Sequence, residues 1–458
     1  MLRESTRPRV LTRLLASTRA PIIGLVLVAV LSLGARSLLL DEPCQSPCAT
    51  ASAHTMVFDE AYYVNAARVI AGIHPPQGQH YDNSPLGTDP NAEHPQGAKL
   101  IVAASIELFG DGPFAWRLGS LIFGTIAILG MFALVRSAGG GRWSALGAAT
   151  LMATDNLLLV HSRIFTLDIY VLAMMIWGVA FYLQDRPMLA GVALAVADAF
   201  KLVAPYAILI LALVEVARLY VRRRNPGSPA EWRLRAVISR FATAVFTSVG
   251  VFVGLLAIMG LIATPYADAE ARLITGGPFA HVSHMISYAA QQVSPNGPQG
   301  IASYPWQWLL DLKPILYLRI NPSLPGQGLN AIHPVAAFWG MPSPPIMTLG
   351  IPALVFCLYR FLRRRTRGQA AEDQQVAILA VAWFLGAWLP FALQSLIDQR
   401  TSYIYYMVIV MPGIYVAATY AAALGWRRRR TWLRAVIGVW AVGVLVAAVL
   451  MYPFVATF

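Results

Sequence analysis

Apolar runs of roughly 17–25 residues, each long enough to cross a bilayer as a helix, recur along the whole chain, with short arginine clusters between them. The clusters fall at Arg3 to Arg19, Arg222 to Arg240, Arg360 to Arg367 and Arg427 to Arg434. Positive charge concentrated in alternate connections is the mark of loops held on the cytoplasmic side. A chain of 458 residues that is 57% hydrophobic and only 12% charged, with a mean hydropathy of +0.58, is therefore expected to be an all-α polytopic membrane protein. The net charge of +13 does not argue for nucleic acid. Its arginines lie in span connections, and no basic face interleaved with aromatics is visible on a soluble domain.

Taken in order, the first apolar run covers 21–40. A secretory leader has a shorter hydrophobic core and a small-x-small cleavage site, so this run reads as an uncleaved span. A long loop follows at 41–113, then spans at 114–135, 143–160, 167–183, 188–200, 203–219 and 237–262. A second long loop occupies 263–342, and spans at 346–362, 376–393, 402–423 and 436–452 complete the chain. The count is about eleven, with the N-terminus inside, the C-terminus outside and both long loops outside. The whole of 1–458 reads as one integral membrane domain. Inside the first loop, 60–71 and 99–109 are expected as short interfacial or re-entrant helices, with prolines turning the chain between them.

The three lysines, Lys99, Lys201 and Lys313, all fall on the outer side, as candidate anion contacts. Cys44 and Cys48 form a C-x-x-x-C pair that reads as a local disulfide or two free thiols. Too few ligands stand near them for a zinc site, and no metal centre is assigned.

No ATP or nucleotide sugar is available outside, and the chain has no phosphate-cradling glycine motif. An enzyme working there needs a pre-activated donor, and a membrane lipid phosphate is the natural one. Sugar transfer from such a donor needs a carboxylate to take the proton of the acceptor hydroxyl and cations to hold the departing phosphate. Asp59 and Glu60 would point about 100 degrees apart on a helix, so one is expected as base and the other as a positioning contact. Both also fit the acidic first turn of a helix, and His94 before Pro95 fits a turn. Arg117, Arg163 and Asp168 lie near span ends, where charge is paired or functional. A direct Arg163–Asp168 tie and a site role are both open.

FDEAYY, followed by EHPQGAKLIVAASIELFGDGPFAWRL, resembles the first-loop signature of the protein O-mannosyltransferases. These are polyprenyl- or dolichyl-phosphate-mannose-dependent enzymes of the GT-C membrane class. The likeness continues in HSRIFTLDIYVLAMM, LAVADAFKLVAPY, SYPWQWLLDLKPILY and WLPFALQSLIDQRTSYIYYMVIVMPGIY, in the family's order. The resemblance implies a GT-C bundle with Asp59 as catalytic base supported by Glu60. It implies donor-phosphate contacts from Arg117, Arg163, Lys201 and Arg400, joined by His94 and Lys99. Asp168, Tyr304 and Trp306 would be structural or acceptor-side. Departures are the sequence His94-Pro95-Gln96-Gly97-Ala98-Lys99 where the family has H-P-P-L-G-K, and Phe391 in place of a tryptophan. The second loop has no inserted carbohydrate-binding-like domain, as in the bacterial branch.

The expected function is inverting transfer of mannose from a polyprenyl-phosphate donor to Ser or Thr of an exported protein, at the cell membrane and near the secretion translocon. A divalent cation (Mg or Mn) bridging a carboxylate to the lipid phosphate is open. So are acceptors of another kind: a glycolipid, a cell-wall glycan, or lipid A as in the aminoarabinose transferases. A transporter or flippase would instead place charge at the bilayer midplane in two related halves, and no half-repeat is found.

Overall fold

The computed structural model describes residues 19–45, 48–203, 205–224, 234–320, 332–333, 335–363, 371–428 and 430–455. Most of the arginines at the N-terminus and those at 364–367 lie outside these residues.

Each expected span carries a helix. These are α1 (Ala20–Ser37), α4 (Pro113–Ser137), α5 (Arg142–Thr154) with α6 (Asn156–His161), α7 (Leu167–Leu183), α8 (Pro187–Phe200) and α9 (Pro205–Arg224). After them come α10 (Leu234–Ile262), α12 (Pro344–Leu362), α13 (Ala371–Ile397), α14 (Met407–Arg427) and α15 (Thr431–Leu450). Among the described residues, seven helices are long and apolar enough to cross a membrane, and α7 and α8 are shorter apolar helices. The chain is a multi-pass helical membrane protein.

The span expected at 143–160 is broken. Asp155, whose carboxylate accepts from the Leu157 N–H at 2.8 Å, ends α5 and caps α6. A short acid that bonds the backbone two residues on favours a cap over a helix interior, and the apolar flanks hid that choice.

The helices differ in what they touch. α14 is apolar on all sides and buried from Met407 to Tyr420, as suits the centre of a bundle. α15 buries Val444 alone and packs on the edge of the bundle, where the Trp440 indole donates to Pro345 O at 2.7 Å. α1 is held by Arg36, whose guanidinium bonds Ser32 O, Leu121 O and Thr125 Oγ1. It reaches α4 at Gly124, where a β-carbon would stand 2.1 Å from Nη1. Only glycine lets a charged side chain satisfy itself on the α4 backbone at that depth.

The first loop holds the two expected helices, α2 (Glu60–Ile70) and α3 (Gly97–Phe109). α2 is largely covered by protein. Glu60 and every residue from Tyr63 to Val69 are buried, because α3 and the first loop's own turns pack on the helix: Asn65 bonds Gln79, Arg68 reaches Asp111 and the Gly87 N–H donates to Val69 O. The second loop supplies α11 (Gly277–Gln291) and short strands that composition did not announce. β2 (Thr88–Asp89) pairs in parallel with β3 (Thr264–Ala267), and β3 pairs with β4 (Arg272–Leu273). β1 (Cys44–Gln45) pairs with β6 (Ile332–His333), and β5 (Ile315–Ile320) with β7 (Ala336–Gly340). Two of these pairings join the first loop to the second, so both loops form one cap over the same end of the bundle. Cys44 and Cys48 are joined as a disulfide.

Candidate active site

Asp59 stands at the N-cap of α2, yet its side chain makes no cap hydrogen bond. The capping role that the sequence allowed is therefore not taken up, and the carboxylate faces a cavity of about 540 Å³. Burial pushes its pKa from the ordinary carboxylate value up to about 7, against the lowering pull of Lys201 and with a further push from Asp168. A carboxylate with that value is half-ionised near neutrality, where a general base works best.

Glu60 points the other way and is wholly buried. It accepts from Arg117 Nε at 2.9 Å and Nη2 at 2.8 Å, and from the backbone N–H of Val57 at 2.8 Å and of Phe165 at 2.9 Å. Every direction around the carboxylate is filled, so it offers no nucleophile. Arg117 is equally committed. Beyond Glu60 it donates to Leu40 O, to Glu42 O at 3.1 Å and to Thr55 O at 3.4 Å. The pair is a strut that ties α2 to α4 and to the start of the first loop, and Arg117 is not among the residues lining the cavity.

Arg163 is a strut as well. It donates to Leu38 O at 2.9 Å, Leu39 O at 3.0 Å and Tyr452 Oη at 3.2 Å, and its guanidinium lies 4.8 Å from the Phe454 ring. It fastens the end of α1 to the last described residues and makes no ion pair with Asp168. Lys99 is buried in the Asp89–His94 turn, with Nζ 2.6 Å from Asp89 Oδ2 and 3.0 Å from His94 O, and bonded also to Asn91 O. It shapes the turn that presents Glu93 and His94, and its own charge is spent on Asp89.

The cations that do reach the cavity are Lys201 and Arg400. Lys201 comes from the junction of α8 and α9. It gives one N–H to Asp168 at 2.8 Å and sits 5.4 Å from the Tyr406 ring. Arg400, between α13 and α14, bonds Ala289 O, and among the described residues it has no carboxylate within ion-pair distance. His94 also lines the cavity. Burial, with Lys201 and Lys99 adding to it, holds its imidazole well below the ordinary pKa and so neutral.

Sequence reasoning named Asp59, Lys201, Arg400 and His94, which the fold brings together from four separated segments. It did not single out the wall of Tyr62, Tyr63, Tyr206, Tyr403, Tyr405 and Tyr406, and it gave no site role to Glu93 of the Glu93-His94-Pro95 turn. The Tyr403–Tyr406 run was the available signal for part of that wall. Tyr304 and Trp306 stack on each other at 4.4 Å outside the residues that line the cavity.

Phe58, immediately before Asp59, has φ +56°, a conformation that costs a bulky residue energy unless its surroundings impose it. The imposing group is Tyr317 of β5, stacked on the Phe58 ring at 4.0 Å, with Tyr405 edge-on at 5.4 Å. Tyr317 Oη lies 2.7 Å from His161 Nε2, and His161 Nδ1 lies 2.9 Å from Thr166 Oγ1. The Tyr317 ring lies across β7 at Gly340, where a β-carbon would be 2.1 Å from it. The second loop thus fixes the direction in which Asp59 leaves the chain.

A divalent cation finds no ready cage in the cavity. Among the described residues, the one group of three His, Cys, Asp or Glu ligand atoms within 4.8 Å of each other is Glu42, Cys44 and Cys48, and its two sulfurs are already joined. In the cavity Asp59 and Glu93 are the carboxylates, with two cations beside them.

The family profile described as dolichyl-phosphate-mannose-protein mannosyltransferase matches residues 93–230. A polyprenol-phosphate-mannose–protein mannosyltransferase of Corynebacterium glutamicum is 24% identical over 436 residues, covering 83% of this chain and 79% of that one. The protein of the same description from Mycolicibacterium smegmatis is 22% identical, covering 80% and 76%. Among solved structures, the fold resembles that of the S. cerevisiae protein O-mannosyltransferase Pmt1-Pmt2 complex bound to the sugar donor. That match has a TM-score of 0.68 at 11% identity and covers 96% of this chain and 90% of that one. ArnT from Cupriavidus metallidurans bound to undecaprenyl phosphate matches with a TM-score of 0.51 at 17% identity, covering 95% and 76%.

Proposed function

We infer that this chain, which belongs to the protein O-mannosyltransferase family, moves mannose from a polyprenyl-phosphate donor to Ser or Thr hydroxyls of exported proteins. The observation that carries the reading is Asp59, a carboxylate spent on no cap, sharing one cavity with Lys201 and Arg400. In the proposed step Asp59 takes the proton of the acceptor hydroxyl as its oxygen attacks the anomeric carbon. The bond from that carbon to the phosphate oxygen breaks, and the lipid phosphate leaves with the electron pair. Lys201, with two N–H groups not engaged by Asp168, and Arg400 hold the growing phosphate charge. With Glu60 occupied by Arg117, one carboxylate acts as base and no covalent intermediate forms, so the anomeric configuration inverts. Neutral His94 remains a hydrogen-bond partner for sugar or phosphate.

The charge pattern supports a site on the extracytoplasmic face of the cell membrane, with the N-terminus inside, the C-terminus outside and about eleven crossings. That face would meet acceptors as they leave the translocon. The test uses the purified protein with labelled polyprenyl-phosphate-mannose and a Ser/Thr-rich peptide. Mannosyl-peptide of inverted configuration is expected. A glycolipid or glycan product in place of the peptide product would change the acceptor, and transfer by Asp59→Asn at the wild-type rate would remove the base.

A further inference from the structure

Two apolar grooves flank α15, and both end at arginines. One groove, of about 630 Å³, runs between α5, α14 and α15 from Arg142, Trp143, Trp426 and Arg427 at one end to Leu151 and Val444 at the other. The second, of about 960 Å³, runs between α12, α14 and α15 and includes Arg428. Arg427 Nη2 stands 3.9 Å from where a β-carbon on Gly141 would be, so its guanidinium hangs over the start of α5 beside Arg142.

The contrast with a neighbouring corner at the same level is informative. The Gln184 amide donates to Ser137 Oγ at 2.8 Å, which sets the ends of α4 and α7 side by side. In that corner Arg218 and Arg240 share Glu215, and Arg240 also reaches Asp185. Among the residues whose side chains are described, which leaves out 371–373, Arg142, Arg427 and Arg428 have no carboxylate within ion-pair distance. They open instead onto surface that is apolar along its length.

A soluble anion would match the arginines and leave the grooves empty, and an uncharged lipid would fill the grooves and leave the arginines unmatched. From Arg142 to Leu151 the α5 wall is roughly 14 Å long at 1.5 Å per residue, about half of the ~30 Å hydrocarbon core. That is the depth reached by one leaflet's acyl chains.

We propose that an anionic phospholipid binds here, its phosphate among Arg142, Arg427 and Arg428 and one acyl chain in each groove, astride α15. Guanidinium forks suit phosphate oxygens, and basic pockets between membrane helices take anionic headgroups. Trp143 and Trp426 sit at the headgroup level where indoles concentrate. The site lies at the far end of α4 from the Asp59 cavity, about 37 Å away along 25 residues. It does not rest on the proposed reaction.

The experiment reconstitutes the full chain in phosphatidylcholine nanodiscs containing a minor fraction of phosphatidylglycerol, then counts retained lipids by native mass spectrometry. Phosphatidylglycerol is expected to be retained at least tenfold over its share, with roughly fivefold contributed by each arginine. The double variant Arg142→Gln/Arg427→Gln should fall toward parity, and Arg142→Lys/Arg427→Lys should keep most of the preference. Where the double glutamine variant does not purify folded, each single glutamine variant should lose part of the preference. Equal retention of both lipids by the wild type, a preference untouched by the glutamine variants, or a lipid-free dimer seated on α15 would each overturn the proposal.

Discussion

At the residue scale, Asp59 and Glu60 are neighbours with opposite fates, and substitutions should separate them. Asp59→Asn removes the proposed base and no cap hydrogen bond, so transfer should fall by about 10²–10⁴-fold while the melting temperature stays put. Because the ionised form is the active one and its pKa stands at about 7, log(kcat/KM) should rise with unit slope below about pH 7 and level off above it. Glu60→Gln or Arg117→Ala leaves a buried charge unpaired, which costs about 3–5 kcal/mol. The expected result is a large drop in melting temperature and poor recovery from membranes. A folded Glu60→Gln enzyme with normal stability and no activity would restore the direct catalytic role that the sequence allowed. The acidic pair was visible in the sequence, but the division of labour was not. It depends on Arg117 and the Phe165 N–H, which lie 57 and 105 positions from Glu60.

At the scale of elements, the order and rough extent of the long helices were legible because apolar length is a local property. The break at Asp155 and the burial of α2 were not, since each depends on what packs beside it. The strands of the second loop were hidden for the same reason: two- to six-residue pairs leave little periodicity to read. The β5–β7 hairpin matters most for the site, because Tyr317 braces Phe58 there. Tyr317→Leu should lower kcat by an order of magnitude or more with little change in the donor KM, since the donor cations are untouched. Tyr317→Phe keeps the stack and should retain most of the activity. Gly340→Ala should act like Tyr317→Leu by displacing the ring. Paired kcat and KM measurements decide these cases, and a KM effect alone would place Tyr317 in donor binding.

For the whole molecule, the cavity is assembled from α2, the Asp89–His94 turn, the α8–α9 junction and the α13–α14 junction, with both loops closed over it. Its charges, Lys201 and Arg400 beside Asp59, make it self-sufficient toward a leaving phosphate. Transfer is therefore expected to persist in excess chelator, measured on membranes washed with EDTA. Loss of activity that returns with Mg or Mn would instead assign a metal to Asp59 and Glu93. The four segments could be named one by one in the sequence, but their convergence could not, since Asp168 and Lys201 pair across 33 positions.

The stitching of the first loop to the second, at Thr88↔Thr264 and Cys44↔His333, bears on when the protein can first act during its own synthesis. A nascent chain that has just made Asp59 has no β3, no Tyr317 and no Arg400. About 340 further residues must be made before the last of these emerges, some 20–70 s at 5–20 residues per second. Through that interval the base sits on an unbraced loop without its second cation. Catalytic competence on the proposed mechanism thus waits for Arg400, after the scaffold that precedes it has already been made.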